Sequence, residues 1–115
     1  MPRLLCGEKM KPADWLPEIV RLIVQASDPD KIVLFGSYAQ DAAGSDSDLD
    51  LLVILSHSDR LRQDSWRIRR ALRGLLIPID IVVATSEQVQ RLGRTPGLIY
   101  QTALREGRVL YERAG

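Results

Sequence analysis

The stretch that most constrains this chain is Lys31 to Val53, KIVLFGSYAQDAAGSDSDLDLLV. It opens with a short apolar run, Ile32 to Phe35, and breaks at Gly36-Ser37. It then passes through small and acidic residues and enters a second apolar run, Leu51 to Leu55, by way of Asp48-Leu49-Asp50. Apolar runs of this length, bounded by turn residues and rich in Val and Ile, predict buried strands. One strand is expected over Lys31–Phe35 and another from Asp48 to about Leu55, so two carboxylates stand where a loop enters a strand. Residues two apart on a strand share a face, roughly 6–7 Å from each other. Asp48 and Asp50 therefore point one way and Leu49 the other. Aligned carboxylates repel unless a cation lies between them, and oxygen ligands of this kind suit Mg²⁺.

The Gly-Ser step adds a second requirement. Gly36 permits backbone angles that other residues resist and lets a ligand approach the main chain. Ser37 can cap a helical turn over Tyr38 to Asp41, and the amides of such a turn, with the hydroxyl, form a seat for phosphate oxygens. The loop from Ala42 to Ser47 is expected to be exposed and mobile without ligand. Ser45 and Ser47 read as turn formers, with a contact to phosphate or to a metal-bound water as the sharper alternative. Asp41 and Asp46 lie off the two-residue spacing and read as solvated charges. A phosphate seat and a carboxylate pair, ten residues apart across one loop, suggest a nucleoside triphosphate with its Mg²⁺.

A third expected strand, Leu76 to Ala84, carries Asp80 amid Ile77, Ile79, Ile81, Val82 and Val83. A charge inside such a run costs several kcal/mol unless it is paired or metal-bound. A strand Asp paired to an arginine is the structural alternative. The metal-ligand reading is stronger because a carboxylate pair already calls for a further ligand.

Around these strands the pattern is helical. Leu16, Ile19, Val20, Ile23 and Val24 repeat at helix spacing from an N-cap at Asp14, with Pro17 in the first turn and an end near Ser27, before Asp28-Pro29. Residues 1–13 read as a loose lead-in, and Trp15 either extends the helix's core face or lies against a partner. A helix over about Arg60 to Leu75 buries Leu61, Ile68, Leu72 and Leu75 and turns Arg62, Arg67, Arg69, Arg70 and Arg73 outward. That basic face reads first as solvated; contact with phosphates or with an acidic partner is the alternative, and Trp66 can serve either core or contact. His57 reads as a surface-loop residue, since no second catalytic group is spaced to work with it. Thr85 and Gln88 suit a capping box for a short helix ending near Gly93. Pro96 and Gly107 bracket another helix, and Arg108 to Glu112 forms a last, edge strand.

Composition excludes more than it selects. A chain of 115 residues is expected to form one domain, and 45% apolar with 27% charged residues is ordinary for a globular protein. A net charge of +1 makes no case for direct nucleic-acid or membrane binding. The one cysteine, Cys6, excludes an intramolecular disulfide and fits a reducing compartment. No segment has the form of a signal peptide or reaches the ~18 apolar residues of a membrane span, so a cytoplasmic location is expected. Strands alternating with helices give a small α/β domain.

Gly36-Ser37, ten residues, Asp48-Leu49-Asp50 and a later strand Asp80 together resemble the signature of the DNA polymerase β-like nucleotidyltransferase superfamily. The short length and the ending IYQTALREGRVLYE are most similar to the minimal nucleotidyltransferases (MNT). The resemblance runs from Asp28 to Glu112. A lone Asp-x-Asp or Gly-Ser is weak; the four features in order are specific. The resemblance implies an α+β core with a small mixed sheet of about four strands flanked by helices. It implies transfer of a nucleoside monophosphate, AMP from ATP, to a hydroxyl. Two Mg²⁺ ions ~3.5–4 Å apart would be bridged by Asp48 and Asp50, with Asp80 completing the one at the acceptor. The phosphates would rest on Gly36 and Ser37, with Ser47 as a further nucleotide contact.

Larger members of the superfamily carry a further domain for the acceptor, for which this chain leaves no room. The acceptor site is expected from a partner chain, a second copy of this one, or the acceptor macromolecule. Minimal members resemble antitoxins that adenylylate helical, RNase-like HEPN toxins, and such a partner is the expectation here. One departure stands out: where the family often has Gly-Ser-x-Ala-Arg-Gly, this chain has Gln40 and Asp41 in the last two places, exchanging a positive charge for a negative one. Two other readings compete. One is a binding module that sheathes a partner through Trp15, Trp66 or Leu98-Ile99-Tyr100, its metal site vestigial. The other is transfer to a small molecule such as an aminoglycoside, against which a short single domain argues, because the pocket needs a second wall. No residue marks the nucleotide base.

Overall fold

The unbroken apolar run Leu51 to Leu55 demands cover on both faces, and it receives it by lying inside a sheet. The computed structural model describes residues 12–36, 49–57, 59–75, 78–92, 103 and 105–113. Strand β1 is Lys31–Phe35, β2 is Leu49–Leu55, β3 is Ile79–Thr85 and β4 is Arg108–Glu112. Among the described residues they form one four-stranded sheet in the order β3-β2-β1-β4. β1 is antiparallel to both β2 and β4, while β2 and β3 are parallel. The sheet is therefore mixed, as the resemblance implied, and β4 lies at an edge.

Helix α1 (Leu16–Ser27) and α2 (Leu61–Ala71) pack on one face, and α3 (Ser86–Leu92) on the other. Ile19, Ile23 and Ile68 meet Ile32, Leu34, Leu51 and Val53 on the first face. Val33, Phe35, Leu52 and Ile54 meet Val89 and Ala103 on the second. Neither α1 nor α2 has a side-chain N-cap, which forgoes about 1 kcal/mol per helix. Full burial of Ile19, Ile23 and Ile68, at about 1.5–3 kcal/mol each, outweighs that loss. Packing, not capping, holds these helices.

Three boundaries differ from expectation. Asp14 does not cap α1: a 3-10 turn over Pro12–Trp15 leads in, and Trp15 takes the cap position, half-buried against the core. The α2 helix ends at Ala71, short of Leu75. Beyond it Leu72 N–H is shared between the carbonyls of Ile68 and Arg69 at 3.2 Å, and Arg73 N–H donates to Arg70 at 3.2 Å, so the last turn tightens toward Gly74. Strand β3 starts at Ile79; Pro78, which has no N–H, still accepts from Leu49 N–H at 3.0 Å. The capping box is present: Thr85 N–H donates to Gln88 Oε1 at 3.0 Å, and Gln88 N–H to Thr85 Oγ1 at 3.2 Å.

A polar network ties the end of the sheet where β1 begins. Ser86 Oγ donates to Asp30 Oδ2 at 3.0 Å, and Arg113 pairs with Asp30 at 3.5 Å and with Asp28 at 3.0 Å. Lys31 and Glu112 pair across β1 and β4 at 3.0 Å. No described helix is long and apolar enough to cross a membrane.

Candidate active site

The opposite end of the sheet carries carboxylates in a different setting. β1 runs out at Phe35, whose partner on β2 is Asp50, and the partner of Asp50 on β3 is Asp80. Partners in register on neighbouring strands point to the same face, with strands about 4.8 Å apart. Leu49 is buried on the α1–α2 side, so Asp50 faces the α3 side, as strand alternation predicts. Asp50 and Asp80 thus stand side by side. Asp80 is exposed rather than enclosed by its apolar neighbours, and it forms no ion pair with a described cation. Both line an open cavity of about 450 Å³ with Phe35, Arg69, Ile79, Ile81 and Val82.

Gly36 is required twice over. Its φ of +76° lies in the left-handed region, and a Cβ built on it would run into the Asp50 carboxylate. The main chain at this glycine lies close against the Asp50 side chain. Gly107, at the foot of β4, is similarly confined by Val33 and by the backbone of Leu34.

Spacing places Arg69 on a solvated helix face, and it is exposed there. Its side chain also reaches the β3 strand, where Nη2 donates to the Ile81 carbonyl at 2.8 Å and the guanidinium borders the carboxylate cavity. Only the packing of α2 beside β3 reveals this. Trp66 is 54% exposed, with the Arg70 guanidinium 5.2 Å from its ring centre. His57 is exposed at the other end of the sheet, 3.3 Å from Asp59.

Ser37, Ser47 and Asp48 lie outside the described residues, as do Gln40, Asp41, Ser45, Asp46, Cys6, Gly93, Pro96 and the Leu98-Ile99-Tyr100 segment. Among the described residues no group of three His, Cys, Asp or Glu forms a metal cage. A pair of adjacent carboxylates nonetheless fits Mg²⁺, which is commonly held by one or two carboxylates together with substrate phosphates.

A mixed sheet with two aspartates in register beside a left-handed glycine defines a small α+β domain with an open acidic cavity at one end. Residues 15–110 match the family described as Nucleotidyltransferase domain, and the chain belongs to that family. Among solved structures, a protein assigned as a minimal nucleotidyltransferase is 30% identical, with a TM-score of 0.59 over 89% of this chain and 98% of that one. A toxin-antitoxin structure with AMP-PNP is 20% identical, with a TM-score of 0.60 over 85% of this chain and 73% of that one. A mutant of the toxin-antitoxin MntA-HpeT is 19% identical, with a TM-score of 0.57 over the same shares, 85% and 73%. The last two are alike in fold. No curated protein matches the chain.

Proposed function

We propose that this chain is a Mg²⁺-dependent nucleotidyltransferase that moves AMP from ATP to a hydroxyl on a partner protein, as the antitoxin of a HEPN/MNT pair. The observation that carries this is the register of Asp50 with Asp80 at a shared cavity, with the Gly36 main chain against Asp50. Family membership supports nucleotidyl transfer. The AMP-PNP and toxin-antitoxin descriptions of the structural neighbours support adenine nucleotide and a protein acceptor.

Asp48, Asp50 and Asp80 would hold the divalent ions, and Gly36, Ser37 and Ser47 would meet the phosphates. A divalent ion bound there supplies charge neutralisation on the attacking and leaving oxygens. The reaction joins the acceptor oxygen to the α-phosphorus as the bond to pyrophosphate breaks. The residues on β2 and β3 contribute fixed position: two carboxylates on paired strands do not reorganise when substrate arrives. Gly36 keeps the main chain against Asp50 where any side chain would push it away. The chain acts as one domain, in the cytoplasm.

The test is a labelling assay. Purified chain, Mg²⁺ and ATP labelled at the α-phosphate are incubated with the product of the adjacent reading frame. Label on that product, lost with Asp48→Asn and Asp80→Asn, is the expected result. A second reading is favoured by the exposed Trp66 on the basic face of α2: a binding module that neutralises its partner by covering it. Stoichiometric inhibition of the partner without ATP, unaffected by Asp48→Asn, would select it.

A further inference from the structure

The carboxylate cavity has a cationic wall that the motif does not supply. In this chain Gln40 and Asp41 stand where related sequences often place a basic residue and a glycine, so the sequence after Gly36 brings no positive charge at those positions. A substrate phosphate entering beside Asp50 and Asp80 meets two negative charges at the cavity floor. Attraction must come from a bound cation, from main-chain amides, or from a side chain reaching in from elsewhere. Among the described residues lining the cavity, Arg69 is the one positive group.

Its placement is built rather than incidental. Ile68 beside it is fully buried under the sheet, which fixes the rotation of α2. From that helix the Arg69 side chain wraps the edge of β3, and Nη2 is anchored on the Ile81 carbonyl, one residue beyond Asp80. A guanidinium has five N–H donors in a rigid fork, so one bond to a carbonyl leaves donors for an anion. Arg69 also borders a smaller cavity of about 200 Å³ lined by Leu72, Arg73, Leu75, Ile79 and Ile81. The neighbouring α2 arginines differ: Arg70 covers Trp66, and Arg67 lies 3.9 Å from Asp64.

We infer that Arg69 is a substrate-binding residue of this cavity, donating to a phosphate oxygen of the nucleotide substrate or of the pyrophosphate product. The inference deepens the nucleotidyltransferase reading and rests on it for the identity of the ligand. Retention of charge without the fork, as in Arg69→Lys, should recover part of the binding, since a lysine contacts phosphate as a point charge.

The experiment measures equilibrium binding of ATP and of inorganic pyrophosphate, each with Mg²⁺, to the purified full chain. The variants are Arg69→Gln, Arg69→Lys, Asp80→Asn and, as control, the exposed Arg62→Gln, with thermal melts on all. Expected is a rise in Kd of about tenfold for both ligands in Arg69→Gln, a smaller rise in Arg69→Lys and no change in Arg62→Gln. Unaltered Kd values in Arg69→Gln, with a lowered melting temperature, would overturn the inference and leave Arg69 as a tie between α2 and β3. Loss of ATP binding in Asp80→Asn alone would do the same while upholding the transferase reading. Arg69-dependent binding of pyrophosphate without any binding of ATP would uphold Arg69 as the anion contact and reject the transferase reading. Binding of neither ligand by the unaltered chain would reject both.

Discussion

Asp28 and Asp30 sit at one end of the sheet, Asp50 and Asp80 at the other, and their surroundings differ in kind. At the first end Arg113 reaches both carboxylates and Ser86 donates to one of them. These contacts join the α1–β1 corner, the start of α3 and the end of β4, so the charges serve to close the fold. At the second end the cation bordering the cavity, Arg69, gives a hydrogen bond to a carbonyl, and Asp80 has no ion pair with a described group. From Asp50 to Leu55, β2 spans roughly 16 Å at about 3.3 Å per residue. Within one sheet, then, Asp28 and Asp30 are neutralised where they close the fold, while Asp50 and Asp80 line a cavity. A paired carboxylate contributes to stability. An exposed one such as Asp80, with no ion pair to a described group, is free to take a cationic ligand.

The largest effect that can break this contrast is on activity at the cavity end. Asp80→Asn should lower nucleotidyl transfer by about a thousandfold or more, about 4 kcal/mol of barrier, while the melting temperature without Mg²⁺ holds or rises slightly as a like charge is removed. Added Mg²⁺ should raise the melting temperature of the unaltered chain and not that of the variant, because only a site that binds the folded state shifts its stability. A clear drop in melting temperature without Mg²⁺ would place Asp80 among the structural charges and erase the distinction between the two ends.

Gly36→Ala comes next and ties stability to the site. Left-handed backbone and the clash with the Asp50 carboxylate together should cost about 2 kcal/mol in urea unfolding, and transfer should fall with it. Stability lost with transfer unchanged would show that Asp50 tolerates displacement. At the opposite end, Asp30→Asn should cost about 1 kcal/mol, the scale of weakened hydrogen bonds to Ser86 and Arg113, and leave transfer per folded molecule intact. A large drop in transfer without unfolding would mean that the two ends communicate.

How far this contrast could be read before folding depends on what kind of signal each end carries. β1 was legible to the residue, since Lys31–Phe35 is an apolar run between Asp28-Pro29-Asp30 and Gly36, with no competing periodicity. The side of β2 on which Asp50 stands followed from alternation alone. The pairing of Asp50 with Asp80 did not: parallel register depends on how α2 packs between β2 and β3, which no local pattern encodes. For the same reason Arg69 looked like any arginine of a solvated helix face. The Arg113–Asp30 clamp joins residues far apart in the sequence, and neither carries a motif. The mixed sheet was expected from resemblance, since strand and helix alternation by itself favours a parallel one. Ser37, Ser47 and Asp48, the remaining candidate site residues, lie outside the described residues.

A third carboxylate, Glu18, sharpens the contrast with the smallest expected effect. It is 7% exposed on α1 and takes a two-pronged contact from Arg21, three residues along the same helix, with Nε donating to Oε2 at 3.1 Å. The Arg21 hydrogen bond holds its pKa below the ordinary value of 4.5, with the Arg21 charge acting the same way and partial burial opposing both. A carboxyl whose pKa is lowered on folding contributes stability that is present above its unfolded value and lost as pH falls through the folded one. Arg21→Gln should therefore lower stability by a constant amount from pH 7 to about pH 5, and the difference from the unaltered chain should shrink below pH 4.5. Urea midpoints at pH 7 and pH 3 check this. A difference as large at pH 3 as at pH 7 would assign Arg21 a packing role instead. Arg21 and Glu18 lie within one turn of α1, so loss of the Arg21 contact should leave both ends of the sheet unchanged. Asp30, whose Ser86 partner lies 56 residues away, should not share that indifference.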